Sequence, residues 1–375
     1  MTNRRISESI GVQSELDIHQ LSELAIKGLR PMFDIESKLF CFRLLRTASG
    51  LIPEGHSHRY TVMTLLGLHQ AEMAGLMSSI DIRGAMNGLV QDRSWANNIG
   101  DLGLILWGCA TILPERLTEV CSRVNLERAF EQSREVRQGR TMELAWLLSG
   151  LAHASLSVPR RFDVLTDLAG KTHGLLRGNQ GAQGIFGHLS RTRTVAGFLR
   201  GRIGSFADQV YPIYALSKFG QAFSVPVALE EARKCADAIC RVQGRMGQWW
   251  WHYDASTGRV MERFPVYSVH QEGMGPMALF ALAKAAGLDY SEQIYRGLSW
   301  ISGMNEMNRD LRDASGIVWR CLHLGTKYEI YRSRMESVLR SNAGGDSPEK
   351  LSVLFECRPY ELGWLLYAFA GRQSL

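Results

Sequence analysis

Six apolar segments with a common beginning recur along the chain. Five open with a carboxylate and one with a tyrosine, and they start at Tyr60, Asp101, Glu143, Asp208, Glu272 and Glu361. Seven residues after the start stands a small residue in five of them, namely Gly67, Gly108, Gly150, Ala215 and Ala368, whereas the fifth segment has Leu279. Small residues at a fixed step let apolar helices approach closely inside a protein. The pattern predicts six buried inner helices in one register.

An amphipathic segment with a charged face precedes each apolar one, at 16–30, 79–91, 114–134, 161–177, 226–243 and, less regularly, 290–304 with 325–340. Six alternations of outer and inner helices predict an all-α fold, an (α/α)6 toroid, because each hairpin buries its apolar face against the next. An open α-solenoid is the alternative. Closure is favoured because the last segment, Tyr360 to Ala370, is itself apolar and needs the first hairpin to cover it. We expect one domain over residues 1–375, with 1–12 disordered.

The long insertions all fall on one side of this repeat. They cover residues 31–58, 178–206, 244–270 and 305–358, and each precedes an inner helix. In a toroid these connections gather on the face where the inner helices begin. Long loops on one face of a regular scaffold are where binding and catalysis usually occur. We therefore expect the functional site at this mouth of the ring.

Two carboxylates are the catalytic candidates at the mouth. Asp208 and Glu272 lead adjacent inner helices, which pack roughly 8–10 Å apart. Inverting glycosidases hold their acid and base about 6.5–9.5 Å apart, so the spacing permits hydrolysis. The alternative is that an acid in the first turn caps backbone N–H groups or complements the helix dipole. For Asp101, Glu143 and Glu361 we favour capping.

The insertion before Glu272 is rich in aromatic residues. It contains Trp249, Trp250, Trp251, Tyr253, Phe264 and Tyr267, with alternation around residues 254–258 that predicts a short β-hairpin. Aromatic faces suit the apolar faces of sugar rings, and His252, His270 and Gln271 are polar partners for hydroxyl groups. His270 is also an acid, base or hydrogen-bond donor beside Glu272. The alternative is a hairpin whose aromatic residues pack on the rim.

Arginines mark the other middle insertion, residues 178–206. Arg191, Arg193, Arg200 and Arg202 lie among glycines, which suits a phosphate or carboxylate, although a solvated basic loop is equally consistent. Asp208, Glu272, His270 and Tyr267 are our catalytic candidates. The substrate-binding candidates are Trp249, Trp250, Trp251, His252, Tyr253, Gln271, Tyr211, Arg59, Tyr60, Asp101, Arg200 and Arg202.

Composition narrows the range of partners. The chain is 45% hydrophobic and 21% charged, and its net charge of +6 is spread over 43 basic and 37 acidic residues without a basic run or a nucleic-acid-binding motif. The longest apolar run, Leu102 to Leu113, is too short for a bilayer, which needs about 20 residues. The N-terminus lacks the apolar stretch of a secretory signal. We expect a cytoplasmic protein without nucleic-acid partners or a membrane segment.

Cysteines and histidines give weak evidence for a metal. Seven cysteines without a CxxC pair are typical of reduced, buried thiols. His56 and His58 stand one residue apart, but no clear motif supplies a third ligand. The sequence has neither a Walker A pattern nor a dinucleotide fingerprint. We expect no metal and no cofactor.

Three stretches resemble a known family. The sequences GQWWWHYDASTGRV, FPVYSVHQEGMGPMALFAL and GSFADQVYPIYALS, mainly within residues 200–286, resemble the toroid proteins of bacterial exopolysaccharide clusters, similar to VpsJ-type polysaccharide biosynthesis proteins. The resemblance implies a role in polysaccharide production and a shape shared with terpenoid cyclases, prenyltransferases and six-hairpin glycosidases. It brings no catalytic residues with it.

Motifs favour sugar chemistry among the activities of toroids. Terpenoid cyclases use DxDD or DDxxD motifs, and this sequence has no adjacent aspartates. Lanthionine cyclases and protein prenyltransferases need a zinc set such as a Cys-His-Gly segment, which this sequence also lacks. Hydrolysis would use Asp208 and Glu272, whereas a lyase or uronate epimerase would use Tyr267 and His270 beside a carboxylate held by arginine. The expected substrate is an anionic or lipid-linked saccharide, and glycosyltransferases of the pathway are candidate partners. The alternatives are a non-catalytic toroid that binds a glycan, a lipid diphosphate or a partner, and a cyclase-like enzyme without the usual aspartates.

Overall fold

Outer and inner helices alternate along the chain. This computed structural model describes residues 18–123, 130–131, 140–157, 163–189, 201–325 and 351–372. The helices are α1 (Ile18–Leu29), α2 (His58–Met73), α3 (Ile82–Gln91), α4 (Ile99–Ile112), α5 (Leu117–Arg123), α6 (Thr141–Ser157), α7 (Asp163–Arg177), α8 (Ala207–Phe223), α9 (Pro226–Arg241), α10 (Gly275–Ala286), α11 (Ser291–Ile301) and α12 (Pro359–Phe369). The even-numbered helices are the predicted inner ones. Residues 1–12, the outer segment 326–340, and Arg191, Arg193 and Arg200 lie outside the described residues.

The inner helices form a closed ring. Each even-numbered helix contacts the next one along the chain, and α12 contacts α2. The predicted (α/α)6 toroid is confirmed, and the open solenoid is wrong because α12 covers its apolar face with α2. None of the helices in the described ranges is long and apolar enough to cross a bilayer.

The shared register of the inner helices is also confirmed. Tyr60, Asp101, Glu143 and Glu361 are each the third residue of their helix, and Asp208 is the second. Glu272 is the third residue of a π-helical turn, His270–Met274, which leads into α10. All six residues therefore stand at the same end of the ring.

Glycines let neighbouring inner helices touch backbone to backbone. A Cβ added to Gly67 of α2 would lie 1.9 Å from the carbonyl oxygen of Gly363 in α12. A Cβ added to Gly150 of α6 would lie 2.2 Å from the carbonyl oxygen of Gly103 in α4. In α2 and α6 the glycine at the seventh step thus faces a glycine at the second step of a neighbouring helix, whereas Gly108 of α4 faces the side chains of Met86 and Val62.

Aromatic residues fill the axis of the ring below its mouth. Trp107 stacks on Tyr214 with ring centroids 4.8 Å apart, and on Trp364 at 5.6 Å. Nε2 of His153 hydrogen-bonds the hydroxyl group of Tyr214 at 2.8 Å. The axis of the ring is therefore packed below the mouth.

Small antiparallel sheets form within the insertions. The strands are β1 (Phe33–Asp34), β2 (Leu39–Thr47), β3 (Gly50–His56), β4 (Ile203–Ser205), β5 (His252–Asp254), β6 (Val260–Glu262), β7 (Val266–Tyr267), β8 (Cys321–Leu324), β9 (Leu351–Leu354) and β10 (Glu356–Cys357). Strands β5 and β6 are the predicted hairpin. The hairpin of β2 and β3 was not predicted; it forms because Phe40 and Leu44 bury one face of β2 against the core.

Candidate functional site

A cavity of about 260 Å³ opens at the end of the ring where the inner helices begin. The first turns of the inner helices supply part of its lining, and the insertions supply the rest. The lining residues are Arg59, Tyr60, Met63, Met142, Trp146, Ser205, Ala207, Tyr211, Trp251, Tyr267, Val269, His270, Met274, Arg320 and Tyr360. Six of the sequence-derived candidates are among them: Arg59, Tyr60, Tyr211, Trp251, Tyr267 and His270. Asp101 lines an adjoining cavity.

Asp208 does not line this cavity. Its Oδ2 accepts hydrogen bonds from the backbone N–H and the hydroxyl group of Ser205, both at 2.9 Å, and pairs with Nδ1 of His188 at 3.1 Å. The backbone N–H of Asp208 in turn donates to the Ser205 hydroxyl oxygen at 3.2 Å. This reciprocal pair caps the beginning of α8. The geometry corresponds to the capping alternative.

Glu272 is also outside the cavity lining. Its side chain is fully buried, and neither carboxyl oxygen has a hydrogen-bond partner among the described residues. Burial, and then the charge of Glu361, raises the pKa of Glu272 well above its ordinary value. Burial therefore favours the protonated form of this carboxyl group. Pro276 lacks the N–H group that would bond to the Glu272 carbonyl oxygen, which favours the π-helical turn at this point.

Most of the predicted aromatic platform packs on the rim. Trp249 is fully buried and stacks on Phe206 at 5.7 Å. The indole N–H of Trp250 donates to the Val242 carbonyl oxygen at 2.9 Å. Tyr253 is fully buried and accepts a hydrogen bond from the Trp250 backbone N–H. Within the run of tryptophans, only Trp251 reaches the cavity.

Three polar candidates brace the insertions instead of facing the cavity. Nδ1 of His252 pairs with Glu262 at 2.6 Å across β5 and β6. Oε1 of Gln271 accepts the Trp249 backbone N–H at 3.0 Å. Arg202 donates to Asp254 at 2.7 Å.

One wall of the cavity brings an imidazole, a phenol and a guanidinium together. The rings of Tyr267 and His270 lie 5.2 Å apart between centroids, and the Arg320 guanidinium lies 5.0 Å from the Tyr267 ring. Burial raises the pKa of Tyr267 to about 12. Burial, and then the charge of Arg320, lowers the pKa of His270 to about 3. At neutral pH the phenol is protonated and the imidazole is neutral.

Arg320 was missed by sequence reasoning. It is almost fully buried and pairs with Glu361 and, at 3.4 Å, with Glu356. Glu361 also accepts the Arg358 backbone N–H, so it both caps α12 and holds the arginine. One feature of the sequence could have indicated it: Arg320 stands alone between Trp319 and Cys321 in an apolar stretch. An arginine buried there needs acidic partners, and such a cluster is a candidate site.

Arg59 offers free hydrogen-bond donors to the cavity. Its Nε donates to Oδ1 of the buried Asp101 at 2.8 Å, and its guanidinium lies 5.3 Å from the ring of Trp146. Its Nη groups make no hydrogen bond to any residue in the described ranges. Arg59 is therefore oriented by a carboxylate and an aromatic ring, with donors left for a ligand.

Comparisons with known proteins identify the fold. No protein-family model and no curated protein sequence matches the chain. An unsaturated glucuronyl hydrolase specific for heparin is similar in structure, with a TM-score of 0.55, 13% identity, and coverage of 94% of this chain and 95% of that one. A possible member of the GH105 family from Salmonella enterica serovar Paratyphi A has a TM-score of 0.58 and 11% identity, with 94% and 93% coverage.

A sugar epimerase from a ruminal bacterium is similar too, with a TM-score of 0.58, 10% identity, and coverage of 94% of this chain and 97% of that one. At such identities the likeness shows the shared (α/α)6 toroid. The resemblance to exopolysaccharide proteins stays a prediction.

Proposed function

We propose that this protein is a carbohydrate-active enzyme that transfers a proton on a sugar next to a carboxylate group, as an epimerase or a lyase does. One observation carries the proposal. Tyr267 and His270 share a wall of the mouth cavity, whereas Asp208 and Glu272 do not line that cavity. A protonated phenol and a neutral imidazole are the acid and the base that such a transfer needs.

His270 takes the proton from the carbon atom next to the substrate carboxylate. In epimerisation, the planar intermediate turns over in the cavity, and Tyr267, on the same wall as His270, then returns a proton to the other face of the same carbon. In elimination, the bond from the neighbouring carbon to its oxygen breaks, and that oxygen receives the Tyr267 proton. Arg59 holds the carboxylate and stabilises the charge that develops on it. The negative charge of the bound substrate raises the pKa of His270, which makes the imidazole a stronger base.

The volume and lining of the cavity, together with the similar solved structures, support a small anionic saccharide as the substrate. A volume of about 260 Å³ is near the lower end of the range for small-molecule sites, roughly 300–1,000 Å³. Tyr60, Trp251 and Tyr360 offer aromatic faces of the kind that pack on sugar rings. Two solved structures with this architecture are described as a hydrolase of unsaturated glucuronyl groups and a sugar epimerase.

We assign this activity to exopolysaccharide biosynthesis. The support is the resemblance of residues 200–286 to VpsJ-type proteins. The substrate would be a uronate-containing precursor or lipid-linked saccharide in the cytoplasm, and glycosyltransferases of the same pathway would be the partners.

Hydrogen exchange in deuterated water tests the reaction directly. The purified full-length protein is incubated with uronic acids and uronate oligosaccharides, and the products are followed by mass spectrometry and by absorbance of the unsaturated product. We expect deuterium at the carbon next to the carboxylate or formation of the unsaturated sugar. Both signals should be lost in His270→Asn and Tyr267→Phe and kept in Tyr295→Phe, a matched change on the outer helix α11.

Two other results would replace the proposal. New reducing ends that form without deuterium incorporation and disappear in Asp208→Asn would indicate hydrolysis. Saccharide binding without any turnover would indicate a binding toroid.

A further inference from the structure

A second cavity adjoins the one at the mouth. Its volume is about 310 Å³, and it lies between the hairpin of β2 and β3, the start of α2 and the loop before α4. Arg59 and Tyr60 line both cavities. A ligand in one cavity would therefore lie next to a ligand in the other.

Two stacked pairs of rings form the walls of the second cavity. Phe42 of β2 stacks on Tyr60 with centroids 5.6 Å apart and planes 17° from parallel. His58 stacks on Trp95 at 5.8 Å and 11°. The Trp95 indole N–H is anchored on the Leu89 carbonyl oxygen at 3.3 Å, which fixes the ring. Flat apolar faces held rigidly suit the apolar faces of a pyranose.

Polar groups stand beside these faces. The Nη groups of Arg59 are free of hydrogen bonds within the described ranges, and so are the ring nitrogens of His58. The side chains of Asn97 and Asp101 complete the lining. Donors and acceptors between aromatic planes are what a sugar ring requires for its hydroxyl groups.

The two histidines do not converge on a common point. Nε2 of His56 pairs with Asp34 at 3.1 Å, whereas His58 lies against Trp95. Among the described residues there is no cluster of three histidine, cysteine or acidic side chains placed to hold a metal ion. The second cavity is better matched to a saccharide than to a cation.

We infer that the second cavity binds a sugar unit covalently joined to the one in the mouth cavity, so that the substrate is at least a disaccharide whose linkage passes over Arg59 and Tyr60. This inference rests on the proposed function. It predicts that a longer saccharide binds more tightly because its second unit contacts Trp95 and His58. This gain in affinity is independent of the groups that transfer the proton.

Calorimetric titration with β-linked glucuronate of one, two and three units tests this inference. We expect the dimer to bind the full-length protein at least about tenfold more tightly than the monomer, the scale of a buried aromatic contact. The trimer should add little beyond the dimer. Trp95→Ala should remove most of the gain and change monomer affinity less than about twofold, while Tyr295→Ala keeps the gain.

Each other outcome has a definite meaning. Equal binding of monomer and dimer by the unmodified protein overturns this inference and leaves the proposed function standing. Absence of binding by all three ligands overturns the proposed function, and this inference with it. If Trp95→Ala does not fold, Phe42→Ala at the more exposed opposite wall replaces it, and an unchanged dimer-to-monomer ratio in that variant also overturns the inference.

Discussion

Tyr267 and His270 face each other at the mouth of the ring with their centroids 5.2 Å apart, although one lies on a strand and the other opens a π-helical turn. The strand β7 pairs with β8, which lies within the insertion 305–358, so the phenol is fixed from outside the ring. The imidazole is fixed by an inner helix. Acid and base are thus held by two different parts of the fold.

This pair predicts an unusual pH dependence of kcat/KM, which reports the pKa values of the free enzyme. With the pKa of His270 lowered to about 3 and that of Tyr267 raised to about 12, both groups keep their active forms across neutral pH. We expect kcat/KM to be level from about pH 5 to about pH 9. His270→Asn and Tyr267→Phe should each lower it by about 10²–10⁴-fold. An inflection near pH 6.5 that vanishes in His270→Asn would contradict the assignment.

Glu272→Gln tests whether Glu272 or the pair of Tyr267 and His270 transfers the proton. The raised pKa of Glu272 means that the folded protein keeps this proton where the unfolded chain releases it. The stability linked to this proton is fully present below about pH 4.5 and is lost as pH rises toward the folded pKa. Relative to the wild type, the variant should gain about 1.4 kcal/mol of unfolding free energy per pH unit between that value and the folded pKa, and no more above the folded pKa.

Denaturant titrations at pH 5 and pH 8 measure this difference, with the exposed Glu292→Gln as the control. Activity of Glu272→Gln should stay within about threefold of the wild type if Tyr267 and His270 transfer the proton. A loss of about 10²–10⁴-fold in a folded variant would return Glu272 to the catalytic pair.

The repeat could be predicted from the sequence because its causes are local. The start of each inner helix carries its own carboxylate or tyrosine, and in α2 and α6 the glycine at the seventh step sets the approach of a neighbour. Gly67 and Gly150 both face glycines of neighbouring inner helices. The end of the ring that holds the cavity followed from the positions of the insertions.

The sequence could not show which residues at the mouth face the cavity. Trp249, Trp250 and Trp251 are adjacent and chemically alike, and only contacts with distant segments decide which one reaches the cavity. Asp208 and Glu272 stand at equivalent helix starts, yet the Asp208 carboxylate accepts hydrogen bonds from Ser205, whereas Glu272 is buried without a hydrogen-bond partner among the described residues and its pKa is raised. Arg320 reaches the site from an insertion whose path no local pattern defines.

Arg59 should determine the preference for an anionic ligand. Loss of a hydrogen-bonded charge contact costs about 1.5–3 kcal/mol, so Arg59→Gln should raise KM for a uronate about 10- to 100-fold, with a smaller effect on its neutral methyl ester. Because this change leaves the buried Asp101 carboxylate without its cationic partner, Asp101→Asn is added so that no unpaired charge remains. The exposed Arg241→Ala is the matched control. An equal effect on acid and ester would assign Arg59 a structural role.

Gly67→Ala should open the seam between α2 and α12. The added Cβ would lie 1.9 Å from the carbonyl oxygen and 2.7 Å from the carbonyl carbon of Gly363, and a backbone cannot rotate away as a side chain can. Overpacking of this kind costs about 1–3 kcal/mol or more, so we expect a large loss of unfolding free energy in denaturant titrations. Gly170→Ala on the outer helix α7 meets nothing within 4 Å and should gain about 0.5–1 kcal/mol.

The contact between α2 and α12 also forms part of the cavity wall. Tyr60 and Tyr360, from α2 and α12, lie 4.6 Å apart between ring centroids, and both line the mouth. If Gly67→Ala folds, separation of the two helices should therefore weaken saccharide binding as well, while Gly170→Ala leaves it unchanged. Unchanged stability of Gly67→Ala would show that α2 and α12 do not meet at this glycine, and the ring would then have to close through other contacts.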